Sequence, residues 1–190
     1  MDQDRRQFYR IEHQVAIEYK LVPEAEVVDS ARPYQFDVSS HFLLLSELQA
    51  MDTDTGHLLR KIGEKQPEVS AYLKLLDTKI NRIARSLVSE ELKDTGSLRM
   101  HNINLSEGGL SFDCDDNLPL GQYLALKLVF PESLLGLLLY ASVQRNEAID
   151  GGYQIGIEFF KMPESCRTLL ARFILEAQAR ERQRQLNVDD

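Results

Sequence analysis

The sequence predicts a mainly β protein with added α-helices: a small antiparallel β-barrel, an inserted helical hairpin and a C-terminal helix. Short segments with apolar residues at every second position, separated by turn residues, predict the strands. Apolar residues at alternating steps of four and three, from Val69 to Leu87, predict a long helix inside the insertion. A further apolar stripe after Pro163 predicts the terminal helix.

The first strand is predicted over residues 11–21, where Val15, Ile17 and Tyr19 fall on one face. β-Branched and aromatic residues at a period of two are typical of a half-buried strand. Pro23 and the acidic residues after it end the strand.

Five more strands are predicted in the second half of the chain. They cover residues 98–105, 109–114, 123–129, 137–146 and 153–160. Turn residues separate them, and the sequence Asp150-Gly151-Gly152 is a strong signal for a hairpin. Short strands at such intervals indicate an antiparallel sheet that closes into a small barrel.

Residues 24–97 interrupt the strand pattern and show helical periodicity instead. The longer apolar stripe consists of Val69, Leu73, Leu76, Ile80, Ile83 and Leu87. A shorter run before it consists of Phe42, Leu45, Leu59 and Ile62. We expect Gly63 and Pro67 to separate the two helices, and an N-cap between Asp37 and Ser40. The segment is therefore predicted to form a helical hairpin.

The longer stripe has two interpretations. In the first, the hairpin buries the stripe against itself and the barrel. In the second, the stripe joins copies of the chain, because its strict period of 3.5 is narrower than the apolar face of most globular helices. We predict the second, a coiled-coil-like homo-oligomer held by these six residues. Isoleucines at successive core positions do not single out dimers over tetramers, so the number of copies stays open.

The C-terminal helix is predicted to begin near Pro163, which suits a first helical turn. One face of this helix carries Leu169, Leu170, Phe173, Ile174 and Ala177. Side chains beyond Ala179 are mostly charged or amide, so we expect that end to project or fray into solvent. Residues 181–190 are predicted to be a polar tail.

Composition excludes several classes of function. A chain of 190 residues with 43% hydrophobic content can form one compact domain plus an elaboration. The net charge of −8 argues against binding polymeric nucleic acid through a broad basic face, although a local arginine cluster can still hold a small anion. The cysteines and histidines do not have the spacing of metal ligands, so no metal site is expected. These residues are Cys114, Cys166, His13, His41, His57 and His101.

Targeting and catalytic signals are also missing from the sequence. The first ten residues are charged with no apolar segment after them, which is unlike a signal peptide. The most apolar stretch, residues 134–143, is too short to span a membrane. We therefore expect a cytoplasmic protein. Because there is no nucleophile elbow, phosphate loop, zinc motif or acid/base pair, we do not expect an enzyme.

Two short segments far apart in the chain form a pair. Arg5 precedes an Arg-x-x-x-Arg motif made of Arg6 and Arg10. The second segment has the form Asn-x-Ser-x-x-Gly and consists of Asn104, Ser106 and Gly109. In this order the pair resembles the signature of the PilZ family, bacterial β-barrel domains that bind cyclic di-GMP. The predicted strand at 153–160 also resembles the closing strand of PilZ domains.

The resemblance implies cyclic di-GMP as the ligand, with no other cofactor. That ligand carries two phosphodiester anions and two guanine bases, and arginine's planar fork matches both phosphate oxygens and the O6/N7 edge of guanine. Asn104 offers amide donors and an acceptor, and Ser106 offers a rotatable hydroxyl. Gly109 permits either a close backbone approach or a positive φ angle. The resemblance further implies that the arginine segment closes over ligand seated on the strand of Asn104 and Ser106.

The resemblance covers residues 5–21 and 98–177 and does not account for residues 24–97. We therefore divide the chain into a barrel with its terminal helix (1–23 and 98–180), a helical insertion (24–97) and the tail (181–190). The predicted receptor changes its conformation, or its contacts with an unknown downstream protein, when ligand binds. The alternative is a structural adaptor that acts through the insertion without ligand. PilZ proteins take one ligand or an intercalated pair, and the additional guanidinium of Arg5 favours two per chain.

Overall fold

Six antiparallel strands close into a barrel, which confirms the predicted fold class. The computed structural model describes residues 10–30, 32–94 and 98–186. The strands are β1 Ile11–Val22, β2 Arg99–Ser106, β3 Gly109–Cys114, β4 Tyr123–Phe130, β5 Leu135–Ile149 and β6 Gly152–Phe160. Around the barrel they follow the order β1-β2-β3-β6-β5-β4, with β4 closing onto β1.

The helices are α1 Glu24–Asp29, α2 Ser40–Lys65, α3 Pro67–Asp94 and α4 Glu164–Leu186. The first three lie between β1 and β2 in sequence, where the helical segment was predicted. Ser39 caps α2, since its Oγ accepts a hydrogen bond from the Phe42 N–H at 3.0 Å, within the interval predicted for the N-cap. α4 begins directly after Pro163 and continues to Leu186, so residues 181–186 of the predicted tail are helical.

The prediction that Gly63 separates the two long helices is wrong, because Gly63 lies inside α2. The break falls at Gln66, whose φ of −141° and ψ of 76° are not helical. Gln66 precedes Pro67, and the proline ring disfavours helical geometry at the residue before it. A single glycine costs a helix only about 1 kcal/mol relative to alanine, which is too little to end it.

Apolar side chains from alternate strand positions fill the barrel. Val15 and Ile17 of β1 are buried with Leu105 of β2 in one cluster. α4 closes one end, where the ring centroids of Phe173 and Phe130 lie 4.7 Å apart. Burying each such side chain contributes about 1.5–3 kcal/mol, so the interior is a stable base for the outer face of the sheet.

The helical insertion covers the outer face of β4. Val27 and Phe36 pack there with Ala125, and Phe42 of α2 packs with Val129. Both faces of β4 are therefore buried, and its burial is continuous from Leu124 to Phe130 rather than alternating.

Two residues show how closely α2 lies on the barrel. Lys127 of β4 is fully buried, with its Nζ 5.2 Å from the centroid of the Phe42 ring, and it stands opposite the buried Glu18 of β1. A Cβ atom on Gly136 of β5 would lie 2.8 Å from the same ring, so only glycine leaves room for Phe42 there. None of the helices within the described ranges is long and apolar enough to cross a membrane.

Candidate functional site

The two motif segments meet on the outer face of the barrel. β1 and β2 pair antiparallel, which places Glu12 opposite Asn104, and Asn104 in turn stands opposite Ser111 of β3. Arg10 directly precedes β1, and its Nη1 donates a hydrogen bond to Asn104 Oδ1 at 3.2 Å. The fold thus brings together side chains that are 94 positions apart in sequence. Arg5 and Arg6 lie outside the described residues.

The β2–β3 hairpin explains the spacing of the second motif. Ser106 and Gly109 form its closing pair around the turn residues Glu107 and Gly108. The buried hydroxyl of Ser106 donates to the Gly109 carbonyl oxygen at 3.1 Å. The serine therefore stabilises the turn that sets the position of Asn104, two residues earlier on the same strand.

Gly109 is required for a close backbone approach rather than for a positive φ angle. A Cβ atom at this position would lie 2.1 Å from the Ile157 carbonyl oxygen of β6. Among the glycines of the described ranges, positive φ angles occur at Gly121 and Gly151. Of the two roles that the sequence allowed for Gly109, the structure supports the first.

We expect Gly109→Ala to lower the free energy of unfolding by about 2–3 kcal/mol, because β3 and β6 must move apart to admit the methyl group. The melting temperature, followed by circular dichroism, should then fall by roughly 5–10 °C. The matched control is Gly63→Ala, where the new Cβ meets only the end of the Ser70 side chain, at 3.2 Å. Equal melting temperatures for Gly109→Ala and wild type would contradict this role.

A cavity of about 800 Å³ runs along this face between the strands and the end of α4. Asn104 and Ser111 line it from the barrel, and Arg180 lines it from α4. The other polar lining residues are Glu12, Gln14, Asn102, Asp113, Gln154, Glu132 and Glu181. A volume of this size is typical of a small-molecule site. Ser111, Gln154 and Arg180 were not predicted from the sequence. For Ser111, the alternation of polar residues along β3 was an available signal.

His13 also lines this cavity and has an apolar setting. Its ring packs edge-on against Phe173, with centroids 5.0 Å apart, and its Nε2 is buried without a hydrogen-bond partner among the described residues. Burial lowers the pKa of the imidazole; nearby Glu132 raises it and nearby Arg180 lowers it. The lowered pKa favours the neutral imidazole at pH 7, so His13 adds little positive charge to the cavity.

The apolar stripe of α3 lies largely on the outside of the hairpin. Val69, Ile80 and Ile83 are 45%, 51% and 65% exposed. Leu73 and Leu76 are half-buried, and the side chain of Leu87 lies outside the described residues. α3 contacts the rest of the chain through smaller buried side chains, Ser70 beside Gly63 of α2, and Ala84 beside the barrel.

Comparison with known proteins supports the barrel fold. The model of the PilZ domain family matches residues 79–176, which include β2 to β6 and the first half of α4. No curated protein sequence matches the chain.

Three solved structures are similar to the chain, all at low sequence identity. A tetrameric PilZ domain protein of Xanthomonas campestris, described as self-assembled via a helical bundle, is 16% identical with a TM-score of 0.53, covering 95% of this chain and 91% of that chain. YcgR of Escherichia coli in complex with c-di-GMP is 15% identical with a TM-score of 0.42, covering 48% and 41%. The inhibitor of motility MotI/DgrA of Bacillus subtilis is 12% identical with a TM-score of 0.46, covering 94% and 54%.

At 16% identity, the structure of the Xanthomonas campestris protein shows a shared fold and nothing finer. The family match carries more weight, because it spans more than half of the chain and includes the Asn-x-Ser-x-x-Gly segment. This chain belongs to the PilZ domain family.

Proposed function

We propose that this protein is a non-enzymatic receptor for cyclic di-GMP that changes its conformation or its partner contacts when ligand binds. The observation that carries the proposal is the hydrogen bond between Arg10 and Asn104, which joins the two motif segments on one outer face. That face borders a cavity of about 800 Å³. Both halves of the family's ligand motif are thus present in one chain.

In this proposal each motif residue has a distinct role. Arg6 and Arg10 bind phosphate and guanine, because a guanidinium matches both groups through paired hydrogen bonds. Asn104 presents donors and an acceptor to the guanine edge. Ser106 donates to the Gly109 carbonyl, so its oxygen remains available as an acceptor for the guanine. Gly109 serves the geometry of the hairpin.

Ligand binding would act as a switch by favouring one state of the arginine segment. A ligand shifts an equilibrium only as far as its affinities for the two states differ. In this proposal Arg5, Arg6 and Arg10 contact the ligand only in the state in which their segment lies over it, so these ligand contacts supply such a difference. The partner that responds is a downstream protein of unknown identity.

Calorimetric titration of the full chain with cyclic di-GMP tests the proposed function. GTP is the control that carries guanine without the cyclic phosphodiester ring. Cyclic di-AMP is the control that keeps the ring and replaces guanine by adenine. Heat of binding for cyclic di-GMP alone supports the proposal, whereas equal affinity for cyclic di-AMP, or no binding, contradicts it.

The same titration tests the number of ligands. We expect an endpoint of about two equivalents per chain, because Arg5 places a third guanidinium beside the motif, where it can contact a second, stacked molecule. Arg5→Leu should reduce the endpoint to about one equivalent. An endpoint of one for wild type that does not change in Arg5→Leu would rule out the paired ligand.

We further propose that the insertion assembles copies of the chain through Val69, Leu73, Leu76, Ile80, Ile83 and Leu87. The exposure of Ile80 and Ile83 in the single chain supports this, since large apolar side chains that are exposed on one helix favour association. The similar protein of Xanthomonas campestris is described as a tetramer self-assembled via a helical bundle, and it covers nearly the whole chain.

The exposed stripe also favours a second candidate function, a structural adaptor that acts through the insertion without ligand. The two functions differ in what happens when the motif is removed. A receptor loses its response when Arg10 and Asn104 are replaced, whereas an adaptor keeps its assembly and its partners.

A further inference from the structure

Arg180 belongs to neither sequence motif, yet it lies beside the candidate nucleotide site. α4 crosses the end of β1 and packs its apolar face on the barrel core up to Ala177. The next helical turn extends past the core, and Arg180 lines the 800 Å³ cavity together with Asn104 and Ser111. One wall of the cavity is therefore the sheet, and the other is the last part of α4.

Arg180 differs in the sign of its charge from the other charged side chains that line the cavity. Four carboxylates line the cavity: Glu12, Asp113, Glu132 and Glu181. Arg180 is the only lysine or arginine among the described residues of the lining. An anionic ligand in this space is repelled by the carboxylates and attracted by Arg180, so this residue has a large share in any anion binding there.

Arg180 also differs from other arginines of α4 in its contacts. Arg167 pairs with Glu164 at 3.7 Å, and Arg172 pairs with Glu176 at 2.9 Å. No hydrogen bond or ion pair within the described ranges engages the Arg180 guanidinium, although it lies close enough to His13 to influence that residue's pKa. Its five N–H donors remain available to a ligand.

We propose that Arg180 is a phosphate-binding residue of the nucleotide site and contacts a phosphodiester of the bound cyclic dinucleotide from the side opposite Asn104. The inference rests on the proposed function. A guanidinium binds two oxygens of one phosphate through parallel hydrogen bonds. With Arg10 at the start of β1 and Arg180 on α4, the ligand has cations on both of its sides.

The proposed contact between Arg180 and the ligand also connects the nucleotide site to the helical insertion. Arg180 and Glu132 line a second cavity of about 180 Å³, between α4 and the residues Asn81 and Arg85 of α3. Arg85 Nη2 donates to the backbone oxygen of Glu132 at 3.2 Å. A ligand that holds Arg180 therefore restrains α4 where it faces the helices of the insertion.

The test compares Arg180→Ala with Arg182→Ala by calorimetric titration of the full chain with cyclic di-GMP. Arg182 lies two residues further along the same helix, is exposed and is not part of the cavity, so both variants lose one positive charge. We expect Arg180→Ala to bind about tenfold more weakly than wild type, because it loses hydrogen bonds to a charged group. Arg182→Ala should stay within about twofold of wild type.

A second measurement guards against a folding effect. Far-ultraviolet circular dichroism should be the same for both variants, and Arg180→Lys, which keeps the charge but not the fork, should bind with intermediate affinity. In wild type, ligand should slow amide hydrogen exchange in residues 177–186, and Arg180→Ala should abolish that protection.

The possible results separate this inference from the proposed function. If wild type binds cyclic di-GMP and the two alanine variants bind equally well, or are weakened equally, Arg180 makes no specific contact and the inference is wrong. If wild type does not bind cyclic di-GMP, the proposed function fails and this inference fails with it. If Arg180→Ala binds cyclic di-GMP more weakly than Arg182→Ala and loses the helix protection, both this inference and the proposed function are supported.

Discussion

Arg10→Ala is expected to bind cyclic di-GMP at least tenfold more weakly than wild type, roughly the effect of removing paired hydrogen bonds to a charged or guanine group. Its melting temperature without ligand should stay nearly unchanged. Arg10 is exposed, and the bond that joins it to Asn104 lies at the surface with a length of 3.2 Å. An exposed hydrogen bond of this kind adds little to the free energy of unfolding.

Arg99→Ala is the matched control for Arg10→Ala. Arg99 starts β2, five residues before Asn104, and its exposed side chain lies 3.8 Å from Asp115, away from the motif. Both variants remove one positive charge from the barrel surface, so a difference between them measures contact rather than long-range attraction. Unaltered affinity in Arg10→Ala, or an equal loss in Arg99→Ala, would remove Arg10 from the ligand site.

The sequence predicted the barrel well because its strands obey a simple alternation. β1 was expected at residues 11–21 and spans Ile11–Val22, and β3 was expected with its exact bounds. β5 is longer than predicted at both ends, spanning Leu135–Ile149. At its start, Leu135 is buried in the barrel core and Gly136 lies against Phe42 of the insertion. Its last residues, largely exposed, are held by backbone pairing with β6. Neither cause leaves a periodic signal in the sequence.

Burial on the outside of β4 was beyond sequence reasoning for a related reason. Lys127 and Glu18 are charged residues at outward positions, where solvent is expected. They are buried because α2 lies on that face of the barrel, and this docking depends on the match between Phe42 and Gly136. Contacts between segments that are distant in sequence determine this burial, and the local sequence pattern does not predict them.

The candidate site shows the same division. The motif segments were predicted to lie together, and Arg10 does contact Asn104. Gln154 and Arg180 reach the same cavity only through the β3–β6 pairing and the path of α4 across β1. A motif therefore predicts the part of a site that lies on adjacent strands, but not the wall that a distant helix adds to it.

The double variant Ile80→Asp, Ile83→Asp is expected to convert an oligomer into a monomer of 21.8 kDa, as measured by light scattering. α3 has 28 residues, about 42 Å of helix, which is long enough to extend beyond a small barrel. Burying a leucine or isoleucine between copies contributes about 1.5–3 kcal/mol, so several per helix can offset the entropy lost on association. Aspartates in the same seam place unpaired charges there, which favours the separated chains.

Because these two positions are exposed, the experiment can separate an effect on assembly from an effect on folding. Ile80 and Ile83 are 51% and 65% exposed within one chain, so aspartate at either position should leave the fold of the monomer intact. The matched control is Ala71→Asp, Thr78→Asp, which adds the same charge at exposed positions on the opposite side of α3. The control should keep the molar mass of wild type.

The outcome also decides how assembly relates to ligand binding. If wild type itself runs as a 21.8 kDa monomer, the stripe does not join copies of the chain and the predicted oligomer is wrong. If the aspartate variant dissociates and still binds cyclic di-GMP with wild-type affinity, the insertion is an assembly module independent of the nucleotide site. If dissociation weakens binding, the two are coupled, and Arg85, which donates to the Glu132 backbone beside the cavity, is the contact through which α3 can act.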